Sequence, residues 1–155
     1  MSRSKSRRPT PCVGICSTTY GDLVCRGCKR YAHEIIQWNA YSQQQQGAVW
    51  QRLVELRDSA TLEVVQPGAR AAVAAECVAR GMPDLMVAES STPSLVYELL
   101  SRSLSHSASH RESLANAGVQ LGDGKSALDA MQSIDRAFLA RSTAHYERAY
   151  KTPLV

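Results

Sequence analysis

Apolar residues recur at helical spacing over much of the chain. Ile35 and Trp38 are three apart with Ile36 beside them, which predicts a short helix over residues 32–41. Ser42 opens a second helix. Ser42-x-x-Gln45 is a capping box, and Val49, Trp50, Leu53, Val54 and Leu56 supply the apolar face. Trp38 and Trp50 are the largest apolar groups in this stretch. They are expected to pack between the two helices and the segment before them, rather than to stack nucleic-acid bases.

The rhythm then changes. Residues 61–65, Thr-Leu-Glu-Val-Val, are β-prone, and Pro67-Gly68 marks a turn. Residues 69–80 form an Ala-rich helical run closed by Gly81. Residues 84–88, Asp-Leu-Met-Val-Ala, follow Pro83 as a second strand candidate. Thr92 and Pro93 fit the N-cap and first position of a helix over 92–103, with Leu95, Val96, Leu99 and Leu100 inward. The order β-α-β-α predicts a small α/β unit with two neighbouring parallel strands. A serine-rich tract follows and reads as a helix end fraying into a linker. A last helix is expected over 126–150, with Ala127, Met131, Ile134, Phe138 and His145 on one stripe and Leu128 and Leu139 widening it.

Composition bounds the class. The chain has 155 residues, 44% hydrophobic and 21% charged, which suits one ordinary domain or two small ones and excludes wholesale disorder. Apolar runs are far shorter than the roughly 20 residues a membrane helix needs. Arg3, Lys5, Arg7 and Arg8 lead into no apolar core of a signal peptide, so a cytoplasmic location is expected. Charge is uneven. Seven Lys or Arg residues (Arg3, Lys5, Arg7, Arg8, Arg26, Lys29, Arg30) stand against Asp22 alone in the first thirty residues, and the rest of the chain is slightly acidic. Residues 1–9 read as a disordered basic tail that keeps the chain soluble and is able to touch phosphates.

The candidate chemistry is in the cysteines. Cys12, Cys16, Cys25 and Cys28 form C-x3-C-x8-C-x2-C, while Cys77 stands apart. In a reducing compartment four close thiols read as a metal site before two disulfides. Four thiolates close a tetrahedral shell around zinc or supply a full set for an iron–sulfur cluster. Gly14 and Gly27 let the backbone turn so that amides reach sulfur, and Arg26, Lys29 and Arg30 offset the charge of a four-thiolate zinc. His33 is expected in a helix first turn rather than as a ligand. The spacing fits neither ferredoxin pattern, and Cys25-Arg-Gly-Cys28 looks like a zinc knuckle, so zinc leads and iron–sulfur is the alternative.

Thr10-Pro-Cys-Val-Gly-Ile-Cys16-Ser, Val24-Cys-Arg-Gly-Cys28-Lys-Arg, Glu34-Ile35 and Trp38 together resemble the domain of unknown function 1289 family, small bacterial proteins often labelled predicted iron–sulfur proteins. The resemblance covers about residues 10–57. It implies the four cysteines as a set and a helix after them. This chain has Tyr31 where the family has a Thr that caps that helix, so the helix is expected to start less firmly.

No other motif rises to a function. Residues 118–126 invite a phosphate-loop reading, but Val119 occupies a required glycine position. His106 and His110 are four apart with no third ligand and read as solvated. No catalytic constellation is evident, and four thiolates leave no open coordination position, so no enzyme activity is expected. The fold expected is α+β and mostly helical: a four-cysteine metal knuckle with a helical hairpin over 10–58, a small α/β unit over 59–122, and a C-terminal helix over 123–155. The function expected is a non-enzymatic metal-binding module, with one structural zinc on Cys12, Cys16, Cys25 and Cys28, that engages a protein partner. Electron transfer or redox sensing through an iron–sulfur cluster is the alternative. Nucleic-acid binding through the basic arm with Arg26, Lys29 and Arg30 comes third.

Overall fold

The computed structural model describes residues 10–104 and 109–151. It is mostly helical, and it divides into two compact units. The first takes the described residues up to Glu55 and from Leu139 onward. The second is Leu56–Phe138.

In the first unit a short 3-10 turn, Ser17–Tyr20, leads into a miniature hairpin. Val24 and Tyr31 form an antiparallel bridge, and the Cys25 amide donates to the Arg30 carbonyl at 2.9 Å. Helix α1 (Ala32–Gln37) follows at once and tightens into a 3-10 turn, Trp38–Ala40. Helix α2 (Gln43–Val64) starts on the expected capping box. The Ser42 amide donates to Gln45 Oε1 at 2.8 Å, and the Gln45 amide donates to Ser42 Oγ at 3.1 Å. Tyr31, Trp38, Val49 and Leu53 are buried, and Ile36 faces solvent.

The second unit is helical, not α/β. Residues 61–65 end helix α2 instead of forming a strand. Leu53, Ala60 and Thr61 are all buried at helical spacing, so burial of one face overrides the β preference of Thr and Val. Thr61 helps by donating its hydroxyl to the Arg57 carbonyl one turn back, at 2.9 Å. The second strand candidate is helix α4 (Asp84–Glu89), where Val87 alone is buried and its amide donates to the Pro83 carbonyl. Helices α3 (Arg70–Ala79) and α5 (Thr92–Ser103) lie where the pattern predicts. The cap of α5 is Ser91, one residue before Thr92, and its Oγ accepts from the Ser94 amide at 3.2 Å. Helix α6 (Ser109–Asn116) follows, inside the stretch expected to be a linker. His106 lies outside the described residues, and so does the basic tail.

Leu95, Val96, Leu99 and Leu100 of α5 pack with Val73 and Cys77 of α3 and with Ala130 and Ile134. Gln66 and Gln120 pair through two backbone hydrogen bonds at 3.0 and 3.1 Å. Gly68 beside them admits no side chain, because a Cβ there would overlap the Ala117 carbonyl. Helix α7 (Ala127–Tyr146) opens on Ser126, whose Oγ accepts from the Asp129 amide at 3.1 Å. The last described residues, Glu147–Lys151, wind as a π-helical turn, so the α-helix ends earlier than the expected residue 150.

Candidate metal centre

The hairpin tip is built by its own backbone. The Cys25 amide donates to the Arg30 carbonyl, and the Lys29 amide donates back to the Cys25 carbonyl, both at 2.9 Å. Lys29 sits at φ 64°, a left-handed conformation that a side chain rarely adopts. The turn holds Cys25 and Cys28 together. Cys25 is fully buried and Cys28 nearly so.

Donors converge on these two sulfurs. Burial pushes the Cys25 thiol up. Hydrogen bonds from the backbone at Cys28, Ser17 and Gly27 and from the Cys28 side chain outweigh that, and bring it down to about 7. Burial raises Cys28, opposed by Arg30. Arg30 Nε donates to Cys28 Sγ at 3.3 Å, and its guanidinium lies 4.9 Å from the centre of the Trp38 ring. Lys29 Nζ donates to the carbonyls of Arg26 at 2.7 Å and Gly27 at 3.0 Å. Lys29 and Arg30 are thus both buried at the hairpin tip, and Arg30 is the one that touches a thiol sulfur.

The other two cysteines are less enclosed. Cys12 is exposed, and its Sγ accepts from the Gly14 amide at 3.4 Å. Cys16 is half-buried, with Sγ 2.9 Å from Thr18 Oγ1. The loop that carries them lies on the hairpin tip. Cys25 Sγ reaches the Ile15 carbonyl at 3.5 Å, and a Cβ on Gly27 would come within 2.6 Å of that carbonyl and 2.8 Å of Val13 Cγ2. The cysteines are nonetheless not gathered into a four-ligand knuckle: among the described residues no three His, Cys, Asp or Glu side chains are grouped to hold a metal ion. The structure brings Cys25 and Cys28 together and sets Cys12 and Cys16 on the loop beside them.

Sequence reading missed what braces this hairpin. Tyr31 occupies the N-cap position of α1 without a side-chain cap. Glu34 still makes its half of the box, Oε1 accepting from the Tyr31 amide at 2.9 Å. Arg52 grips both oxygens of Glu34 and lies over the Tyr31 ring, 4.1 Å from its centre. The Tyr31 hydroxyl is 2.6 Å from His145 Nδ1, and Tyr146 and Tyr150 meet its ring edge-on. His33 packs on Tyr150. The Glu34 half of the box was visible in the spacing. The partners Arg52 and His145 carry no local signal.

Cys77 lies elsewhere, fully buried in the second unit, where burial raises its thiol pKa. No helix among the described residues is long and apolar enough to cross a membrane.

Residues 10–57 match the profile of a family described as Protein of unknown function (DUF1289). No curated protein and no solved structure matches the chain.

Proposed function

We propose that Cys12, Cys16, Cys25 and Cys28 hold one zinc ion that folds the N-terminal module for a non-enzymatic role in protein interaction. The observation that carries this reading is the convergence of backbone N–H groups and the Arg30 guanidinium on the sulfurs of Cys25 and Cys28. Such donors stabilise thiolates over thiols, which is the form a metal needs. The buried cations Lys29 and Arg30 support it further. Four thiolates around a divalent ion carry a net −2, and Arg30 on Cys28 Sγ, with buried Lys29 next in the chain to Cys28, would offset that charge. Val13 and Ile15 lie against Gly27, so the loop that carries Cys12 and Cys16 packs on the hairpin tip, which supports a shared site.

When bound, the metal supplies a cross-link between two short loops that have little core of their own. Structural zinc contributes about 10 kcal/mol or more of apparent free energy in small domains, enough to decide whether such a module folds. Every other part of the role falls to protein groups. Val13, Ile15 and Tyr20 stand exposed on the loops around the thiols, a surface suited to a protein partner. Burial of Lys29 and Arg30 withdraws two of the basic side chains that phosphate binding would use, so the nucleic-acid reading gains no support.

The test is chelation. Removing the metal from the full chain should unfold residues 10–55 while protection persists in residues 56–104, read by hydrogen exchange. Unchanged exchange across residues 10–55 would contradict a structural metal.

A further inference from the structure

We infer that Cys25 and Cys28 are a two-electron redox pair, which hydrogen peroxide closes into a disulfide and a small dithiol reopens. The inference goes beyond the zinc reading and stands on the hairpin alone.

The backbone brings the two sulfurs together. The Lys29 amide donates to the Cys25 carbonyl at 2.9 Å, the i to i+4 bond of a single turn. Such a turn sets residues i and i+3 about 5 Å apart at Cα. A disulfide spans about 4.4–6.8 Å between Cα atoms, so the turn already has the right width. Both cysteines are free thiols, and the Cys28 side chain is hydrogen-bonded to the Cys25 sulfur. Among the described residues no third ligating side chain is grouped with them, so the structure presents a pair. The other thiols are engaged elsewhere. Cys12 Sγ accepts from the Gly14 amide, Cys16 Sγ meets Thr18 Oγ1, and Cys77 lies in the second unit.

Enclosure selects the oxidant. Cys25 is 0% exposed and Cys28 7%, so a molecule near the size of water reaches the pair and a folded protein disulfide does not. Arg30 Nε donates to Cys28 Sγ at 3.3 Å, and the backbone at Ser17, Gly27 and Cys28 donates to the Cys25 sulfur. Donors at sulfur favour the thiolate, which is the form that attacks an oxidant. One sulfur attacks a peroxide oxygen, the O–O bond breaks, and a sulfenic acid forms as the first water leaves. The second sulfur attacks the first, the S–O bond breaks, the S–S bond forms, and a second water leaves. Two electrons pass from the two sulfurs to the two oxygens, and the two thiol protons end on the waters. A small dithiol returns two electrons and two protons and becomes a cyclic disulfide.

The experiment exposes the full chain, purified without oxygen and with its metal counted, to a graded series of hydrogen peroxide. Samples are quenched in acid, denatured and alkylated, and their peptides are weighed. The peptide with Cys25 and Cys28 should lose two hydrogens and resist alkylation before Cys12, Cys16 or Cys77 does. Dithiothreitol should restore both alkylation sites. Cys28→Ser should abolish the bond, and because a change at so buried a position risks misfolding, the wild-type linkage map stands without it. Cys25 and Cys28 still alkylated once Cys12 is oxidised, or either of them linked to Cys12 or Cys16 instead, overturns the pair. The metal count separates this result from the zinc reading. One zinc released per bond formed keeps both. A bond formed in a chain that held no metal keeps the pair and sinks the zinc reading. Zinc retained while both thiols stay reduced through the series overturns the pair and leaves the zinc reading standing.

Discussion

The Tyr31 hydroxyl and His145 Nδ1 lie 2.6 Å apart, though 114 residues separate them in the chain. Burial, with Arg52 and Arg148 adding positive charge, holds His145 below its ordinary pKa of 6.5 against the pull of Glu34. Burial pushes Tyr31 up to about 12. The contact is therefore one between a neutral phenol and a neutral imidazole at pH 7, its direction set by the imidazole tautomer. Removing the hydroxyl alone, Tyr31→Phe, should cost about 1 kcal/mol in chemical denaturation, the usual worth of one such bond. Tyr31→Ala also removes a ring that is 1% exposed and should cost about 3–5 kcal/mol. Equal stabilities for wild type and Tyr31→Phe would show that the bond contributes nothing.

The same pair sets a pH dependence. With the folded pKa of His145 depressed, the unfolded chain binds more protons than the folded one below pH 6.5. This contribution is complete above the unfolded value. It is lost as pH falls from 6.5 through the lower folded value. The wild type should lose more stability than His145→Gln on going from pH 7.5 to pH 5.5, followed by thermal unfolding. Parallel curves for the two would remove His145 from the account.

Glu34 is 4% exposed and is met by both nitrogens of the Arg52 fork. Taking away one partner strands a buried charge, so Arg52→Ala should destabilise by about 3–5 kcal/mol. Arg52→Met with Glu34→Gln should recover much of that loss. A double variant as unstable as Arg52→Ala would mean that the charge itself is not the cost.

Gly27 tests the contact between the two cysteine loops. A methyl group there meets the Ile15 carbonyl at 2.6 Å, and a backbone atom cannot step aside cheaply. Gly27→Ala should cost about 1–3 kcal/mol by overpacking and weaken metal retention in a chelator competition. Gly14→Ala meets no atom but places a side chain at φ 93°, and so probes the loop backbone alone. Identical retention in wild type and Gly27→Ala would mean the loops do not need this contact.

The sequence made the local signals readable and left the long-range ones hidden. Ser42 with Gln45 and the stripe Val49, Leu53 specify the start and face of α2 within one or two turns, and the structure follows them. The end of that helix departs from the expected strand, because Thr61 and Val65 favour strands in isolation and only their burial one helical turn apart reverses the preference. Residues 84–88 failed for a related reason: five apolar-rich residues after a proline fit a strand and a short helix equally by pattern. Cys25, Gly27 and Cys28 announced a tight turn with amides near sulfur. Arg30 on Trp38, Arg52 on Glu34 and His145 on Tyr31 are tertiary pairings, and nothing in residue spacing predicts them.

Metal content tests the central claim most directly. The full chain is purified without oxygen, its visible spectrum is recorded, and metal and sulfide are counted per chain. A colourless protein with one zinc, lost when Cys25 and Cys28 are both changed to Ser, is the result expected. A brown protein with iron and acid-labile sulfide, bleached by dithionite, or a chain that retains no metal at all, would contradict it.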